Sequence, residues 1–283
     1  MAKHPNAVYK LLEDLHKASY TKALEEFIEL EEFVKSQGVT YKLEQWDIPY
    51  WAEKLKTHKF AYSEEELKQY FPLSQVLNGL FSLCETLFNI KITKFFEVYD
   101  NNNIKTPIAY FYLDPYSRPE NKRSGAWMDS CIPRYKINNK LHLPVAYIVC
   151  NFTPPYKDGE SLLRFQEVLT LFHEFGHALQ HMLTQMDNIF ISGTAGIEWD
   201  AVEIASQFME NWLYHKDTLK TLTKHVISGQ TISDELFEKI LKSKNYRAAN
   251  MMLRQLRFGL VDIELHHNYD PNTSDATPFD IDS

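Results

Sequence analysis

Cysteine is scarce in this 283-residue chain: Cys84, Cys131 and Cys150 are scattered, with no CxxC pair. An odd, sparse set of this kind argues against a disulfide framework and fits reduced thiols. No run of about eighteen apolar residues occurs, so no membrane-spanning helix is expected. The opening MAKHPNAVYKLLEDLHK lacks the unbroken apolar core of a signal peptide. No basic block offsets the formal net charge of −8, which argues against a nucleic-acid backbone as partner. These absences predict a cytoplasmic protein with neither nucleic-acid nor membrane partners. Proline is missing between Pro155 and Pro271, and six glycines interrupt that span, so helices joined by short loops are expected there.

What is present is ample apolar material, 44% of residues with 14% aromatic, beside 24% charged residues. That balance belongs to globular proteins with a sizeable core. Apolar residues at helical spacing run through 6–36 (Val8, Leu11, Leu12, Leu15, then Leu24, Phe27, Ile28, Leu30). The acidic run Glu25, Glu26, Glu29, Glu31 and Glu32 reads as the solvated face of that helix. Further helices are predicted at 49–59, after the capping sequence SEEEL at 63–67, and at 74–89. From about residue 95 the texture changes to short β-branched and aromatic runs, FFEVYD, IAYFYLD and PVAYIVCNF, separated by turn residues. Some three strands are expected across 95–152. The RPENKR stretch at 118–123 reads as a turn rather than an anion site.

The chemistry is concentrated in VLTLFHEFGHALQHML, 168–183. In a helix, His173 and His177 lie one turn apart and differ by only about 40° around the axis, so their imidazoles can converge on one ion. Zinc accepts histidine nitrogen and suits such a pair. Glu174 flanks that face, within reach of a water activated there. This is the HExxH arrangement, in which the metal acidifies a water and the glutamate takes its proton. A catalytic site of this type needs a third protein ligand. The segment SGTAGIEWDAVEIASQFME, 192–210, offers Glu198, Asp200, Glu203 and Glu210, and spacing alone does not choose among them. Glu203 falls among Val202, Ile204, Ala205 and Phe208, where an unpaired carboxylate would be costly to bury and a metal would relieve the cost. Asp200 and Gln207 share its helical face and could orient the ligand, although Asp200 reads equally well as a helix-start acid. His181 reads as packed or solvated rather than ligating.

HEFGHALQHML followed by WDAVEIASQFMENW resembles the oligopeptidase A and thimet oligopeptidase family of zinc metallopeptidases. The likeness extends through WDIPYWAEK, FYLDPYSRPENKRSGAWMD, PVAYIVCNF and KNYRAANMMLRQLRFGLVDIELH, so it covers nearly the whole chain. It implies His173, His177 and Glu203 as ligands of one zinc ion per chain, with Glu174 as general base. It also implies short peptides as substrates, cleaved in a channel between two mainly helical lobes. PVAYIVCNF, 144–152, is a candidate edge strand for an extended peptide, or else a plain core strand. Gln180 departs from the histidine expected after the motif, at a position that does not ligate. Residues 88–96, FNIKITKFF, look shortened, and the family's glycine- and tyrosine-rich segment is not in this sequence.

The expected fold is therefore mainly α with a small β-sheet, the zincin-like catalytic region of a two-lobed helical oligopeptidase. Its expected parts are a helical region over 1–94, a small sheet over 95–153, a helical zinc-site region over 154–270 and a frayed tail over 271–283, all within one incomplete catalytic domain. Truncation would make the chain a weak peptidase, or leave a non-catalytic fragment or oligomerising module. Partners would then be a missing lobe, or a second copy through exposed apolar faces on 6–36 and 244–267. A di-iron reading rests on ExxH at Glu174–His177 and Glu264–His267. It is weakened by the same pattern at Glu13–His16, on a helix face that reads as solvent-exposed.

Overall fold

The computed structural model describes residues 2–93, 96–155, 159–270 and 272. The tail expected to fray, 271–283, lies outside the described residues apart from Asn272. The chain is mainly helical with a small mixed sheet and forms two units, one from 1–61 with 239–283 and the other from 62–238. The first unit is discontinuous in sequence because its last helix returns to pack on its first.

In that unit, helix α1 (Pro5–Ser36) is followed by α2 (Ile48–Phe60). Leu30 and Val34 of α1 and Leu55 of α2 form a buried cluster, enlarged by Phe33, Trp51 and Tyr246. The Tyr246 hydroxyl donates to the Ala52 carbonyl at 2.8 Å, which gives this residue a structural role. Glu26 departs from the solvated face expected of the acidic run. It is buried and accepts from the Asn250 amide at 3.0 Å and from Asn250 Nδ2 at 2.8 Å. A carboxylate there caps the start of the C-terminal helix, where unpaired amides and the helix dipole favour negative charge.

The second unit begins with the short helix α3 (Glu64–Leu67). The Ser63 hydroxyl accepts from the Glu66 amide, and the Glu66 carboxylate accepts from the Ser63 amide, which is the capping box read from SEEEL. Helix α4 (Leu73–Phe88) leads into β1 (Ile90–Ile92), so the sheet starts before residue 95. The strands β2 (Glu97–Asp100), β3 (Asn103–Tyr116), β4 (Trp127–Ile132) and β7 (Val145–Phe152) complete a sheet of order β1-β2-β3-β7-β4. Between β4 and β7 lies a separate hairpin, β5 (Tyr135–Ile137) and β6 (Lys140–His142). Asn138 and Asn139 turn it with φ of 49° and 60°, left-handed backbone that asparagine tolerates in a two-residue hairpin loop.

Strand β7 pairs parallel with β3 and antiparallel with β4, so PVAYIVCNF is an internal strand and not an edge. Ala146, Ile148, Cys150 and Phe152 alternate onto its buried face. Among the described residues the open edge on that side belongs to β4. The loop before β4 is held by Lys122, whose ammonium donates to the carbonyls of Asp114 and Tyr116 at 3.0 and 2.7 Å. Arg118 meets the Asp114 carboxylate with two bonds of 2.7 Å and holds it at about 2. RPENKR is thus a pinned turn, as its sequence suggested.

Helix α5 (Phe165–Met182) lies on this sheet. It starts where the Glu167 carboxylate accepts from the Arg164 amide at 2.7 Å. Val168, Leu171, Phe172, Phe175, Ala178, Leu179 and Met182 are buried, and the Phe175 ring meets Phe111 of β3 edge-on at 5.4 Å. Burying aromatic and aliphatic side chains at this density contributes roughly 1.5–3 kcal/mol each. The remaining helices are α6 (Ile204–Glu210), α7 (Lys216–Leu222), α8 (Asp234–Ser243) and α9 (Ala248–His267). The last of these packs on α1 in the first unit.

Candidate metal centre

With its apolar face committed to the sheet, α5 turns His173 and His177 to the other side, where α6 begins. Gly176 permits the approach. A Cβ at that position would stand 2.6 Å from the Ala205 carbonyl oxygen and 2.6 Å from Ser206 Cα, both backbone atoms. The glycine between the two histidines is therefore what allows the start of α6 to sit against the ligand face.

Glu203 immediately precedes α6. Its Oε2 is 3.1 Å from His173 Nε2 and 3.2 Å from His177 Nε2. The three donor atoms lie within 4.8 Å of one another and form a group that could hold a metal ion. Bonds of about 2.0–2.2 Å around a tetrahedral ion place neighbouring N and O donors about 3.4 Å apart, so the spacing and donor chemistry fit. Glu203 itself is not where the burial argument put it. Its side chain is 49% exposed, and Ile204 and Phe208 are exposed as well, so relief of a buried charge does not account for its presence. The reason is positional: it stands at the first point where α6 crosses the histidine face.

Glu210 was a ligand candidate, and the structure gives it a different partner. Its Oε1 is 2.7 Å from His173 Nδ1. A carboxylate on the far nitrogen fixes the tautomer that leaves Nε2 available. Asp200 and Gln207 are the residues expected to orient Glu203, whereas Glu210 orients His173. It lies seven residues after Glu203, two helical turns on, and that spacing is the sequence signal that marks it. Ser206 was also missed: its hydroxyl donates to Glu203 Oε2 at 2.7 Å. Glu198 and Asp200 fall at the irregular turn before α6 and are not in the group. Among the described residues, neither Glu13–His16 nor Glu264–His267 contributes to it.

The carboxylates of Glu174 and Glu203 experience opposite conditions. Glu174 is buried, and that burial pushes its carboxyl above the ordinary range; the His173 charge and the nearby Met128 amide of β4 offset the rise only partly. At Glu203 burial also acts upward, but the Ser206 hydroxyl and the charges of His177 and His173 outweigh it and hold the group below its usual value. Burial lowers His177, favouring the neutral ring that can donate a lone pair to a metal. One carboxylate is thus biased toward holding a proton and the other toward staying ionised, the separation expected of acid–base and ligand roles.

His181, one turn past His177, is buried, with Nε2 3.0 Å from the Ile132 carbonyl and 3.4 Å from Ser130 Oγ. It is a packed residue that fastens β4 to α5.

The chain matches peptidase family M3 over residues 1–281. It is 46% identical to organellar oligopeptidase A, chloroplastic/mitochondrial, of Arabidopsis thaliana, over 96% of this chain and 36% of that protein. Against oligopeptidase A of Escherichia coli (strain K12) the identity is 42%, covering 96% of this chain and 42% of the relative. Saccharolysin of Saccharomyces cerevisiae is 30% identical over 82% of this chain and 35% of its own length. The chain thus spans well under half the length of these curated relatives.

Proposed function

Because this chain belongs to peptidase family M3, we propose that it carries the zinc site of a metalloendopeptidase that hydrolyses short peptides. The observation that carries the reading is the meeting of Glu203 Oε2 with both imidazole Nε2 atoms at 3.1 and 3.2 Å. His173, His177 and Glu203 would hold one zinc ion, which when bound polarises a peptide carbonyl and acidifies a water beside it. Glu174 takes a proton from that water at its carboxylate and delivers it to the departing amine nitrogen. Its buried setting supports this role, since a raised carboxyl accepts the proton more readily near neutral pH. Glu210 keeps His173 in the ligating tautomer. The open edge of β4, whose Met128 amide lies near Glu174, offers backbone groups to an extended substrate beside the carboxylate.

The test is cleavage of a quenched fluorescent peptide by zinc-loaded chain, with Glu174→Gln as control. Metal-dependent turnover that falls in the control by on the order of a hundredfold or more supports the reading. Equal turnover in the control contradicts it.

A second reading concerns partners. Helices α1 and α9 already cover part of each other's apolar surface, since Leu12 closes on Gly259. Leu11, Leu24 and Ile28 of α1 and Phe258, Leu260 and Leu265 of α9 remain exposed. These faces suit a further lobe or a second copy of the chain. Among the described residues no helix is long and apolar enough to cross a membrane.

A further inference from the structure

A groove of about 720 Å³ opens where β4 ends, in the same unit as the metal centre. Cys131, Ile132, Tyr135, Lys136, Ile137 and Ile189 contribute to its walls. Three features show that it is a built recess. At the end of β4, Ser130 pairs with Ala146 and Ile132 with Val145, which leaves Cys131 as the extra residue of a bulge. A bulge of this kind bends a strand and re-aims its side chains. The Lys136 amide donates to the Asp187 carbonyl at 3.0 Å and Arg134 Nε meets the Asp187 carboxylate at 2.8 Å, so both walls are fixed to one another. The hairpin that forms one wall is itself locked by the Tyr135–His142 stack, with ring centres 4.3 Å apart and planes within 7°.

The apolar residues of this recess are nonetheless open to solvent. Ile132, Ile137 and Ile189 are 39%, 57% and 46% exposed, an unusual density for three isoleucines around one groove. Lys136 stands among them, while the neighbouring acid, Asp187, is already paired with Arg134. An occupant with a large apolar side chain next to a carboxylate matches that combination.

Continuity with the metal centre identifies what the occupant is. The floor of the groove is the end of β4, the strand whose Met128 amide lies near Glu174, and His181 ties Ile132 to the metal-bearing helix. Four residues of extended chain separate Met128 from Ile132, about 13 Å. A peptide lying along the β4 edge advances at the same rate, so its third or fourth residue from the cleaved bond reaches the recess.

We propose that this groove is a substrate subsite, taking a large apolar side chain of an extended peptide three to four residues from the cleaved bond, with Lys136 at its rim favouring an acidic neighbour. The inference rests on the peptidase reading above and adds to it where selectivity arises.

The experiment uses the full chain carrying Glu174→Gln and loaded with zinc, so that peptide stays intact. A fluorescein-labelled nonapeptide with adjacent isoleucine and glutamate is titrated by anisotropy, beside versions with isoleucine replaced by glycine and glutamate by lysine. Each replacement is expected to weaken binding about tenfold. Lys136→Glu is expected to reverse the order of the glutamate and lysine peptides, and Ile137→Asn to remove the isoleucine preference. Cys131 reports the location. Cys84 and Cys150 are buried and Cys131 is not, so bound peptide should slow its alkylation by iodoacetamide several-fold. Absence of binding, peptide ranking unchanged by Lys136→Glu, or Cys131 alkylation unaffected by saturating peptide overturns the proposal. Protection of Cys131 in the variant, with no cleavage by the zinc-loaded parent chain that keeps Glu174, retains the groove and removes the peptidase reading. Cleavage without protection does the reverse.

Discussion

Helix α5 and the segment from Leu183 to Glu203 deliver two parts of one centre by contrasting means. On α5 the histidines are fixed by a regular eighteen-residue helix whose other face is buried on the sheet. Glu203 arrives at the end of irregular chain, past Gly193 and Gly196 at φ of 63° and 75° and a short turn at Trp199–Ala201, and its side chain is half exposed. The ligand face of α5 is therefore preformed by packing. The carboxylate depends on how closely α6 can approach, and Gly176 sets that distance. A centre divided in this way is most sensitive at the helix and at the contact between the two segments, and less so in the loop.

Replacing either histidine should have the largest effect. His173→Ala or His177→Ala removes a donor that the rigid helix cannot substitute, and equilibrium dialysis should show stoichiometric zinc binding lost in both, with the helical circular dichroism retained.

Gly176→Ala probes the contact directly. The added methyl meets backbone on both sides, and overpacking of this kind costs about 1–3 kcal/mol. Chemical denaturation should show that loss, accompanied by weaker zinc binding because α6 is pushed from the histidine face. A fully stable variant with unchanged affinity would mean that the contact does not position Glu203.

Glu210→Gln sharpens the comparison further, since it leaves all three donors in place. Loss of the carboxylate from His173 Nδ1 should lower zinc affinity by about 10–100-fold in a competition titration with a chromophoric chelator.

A smaller effect is expected away from the centre. Burial holds His181 below its ordinary 6.5. The unfolded chain therefore takes up the proton first, and the metal-free fold loses stability as pH falls below 6.5. His181→Gln should flatten this dependence below about pH 6.5 in thermal melts. Glu174 gives the opposite sign: its raised carboxyl makes ionisation costly in the fold. Glu174→Gln should therefore melt slightly higher than the parent metal-free chain at pH 7, with the gain vanishing toward pH 4.

These contrasts follow what could be read in the sequence. The histidine pair was legible because helical period alone sets its geometry. The capping box at Ser63 and Glu66 was legible for the same local reason. Long-range facts were not. The position of β7 between β3 and β4 depends on pairing across the chain, and its apolar run reads alike for an edge or an internal strand. Glu26 looked like one of several solvated acids because its partner, Asn250, is 224 residues away. The burial argument for Glu203 is contradicted by its exposure, which leaves the family resemblance as its support in the sequence. What the local pattern did contain, and what went unread, was the seven-residue spacing from Glu203 to Glu210.

Metal analysis of the purified chain by inductively coupled plasma mass spectrometry, after zinc loading and gel filtration, tests the shared centre most directly. One zinc per chain is expected in the parent and in Glu174→Gln, and far less than one in His177→Ala and Glu203→Ala. Zinc retained at full stoichiometry in both of those variants, or absent from the parent, would contradict the account.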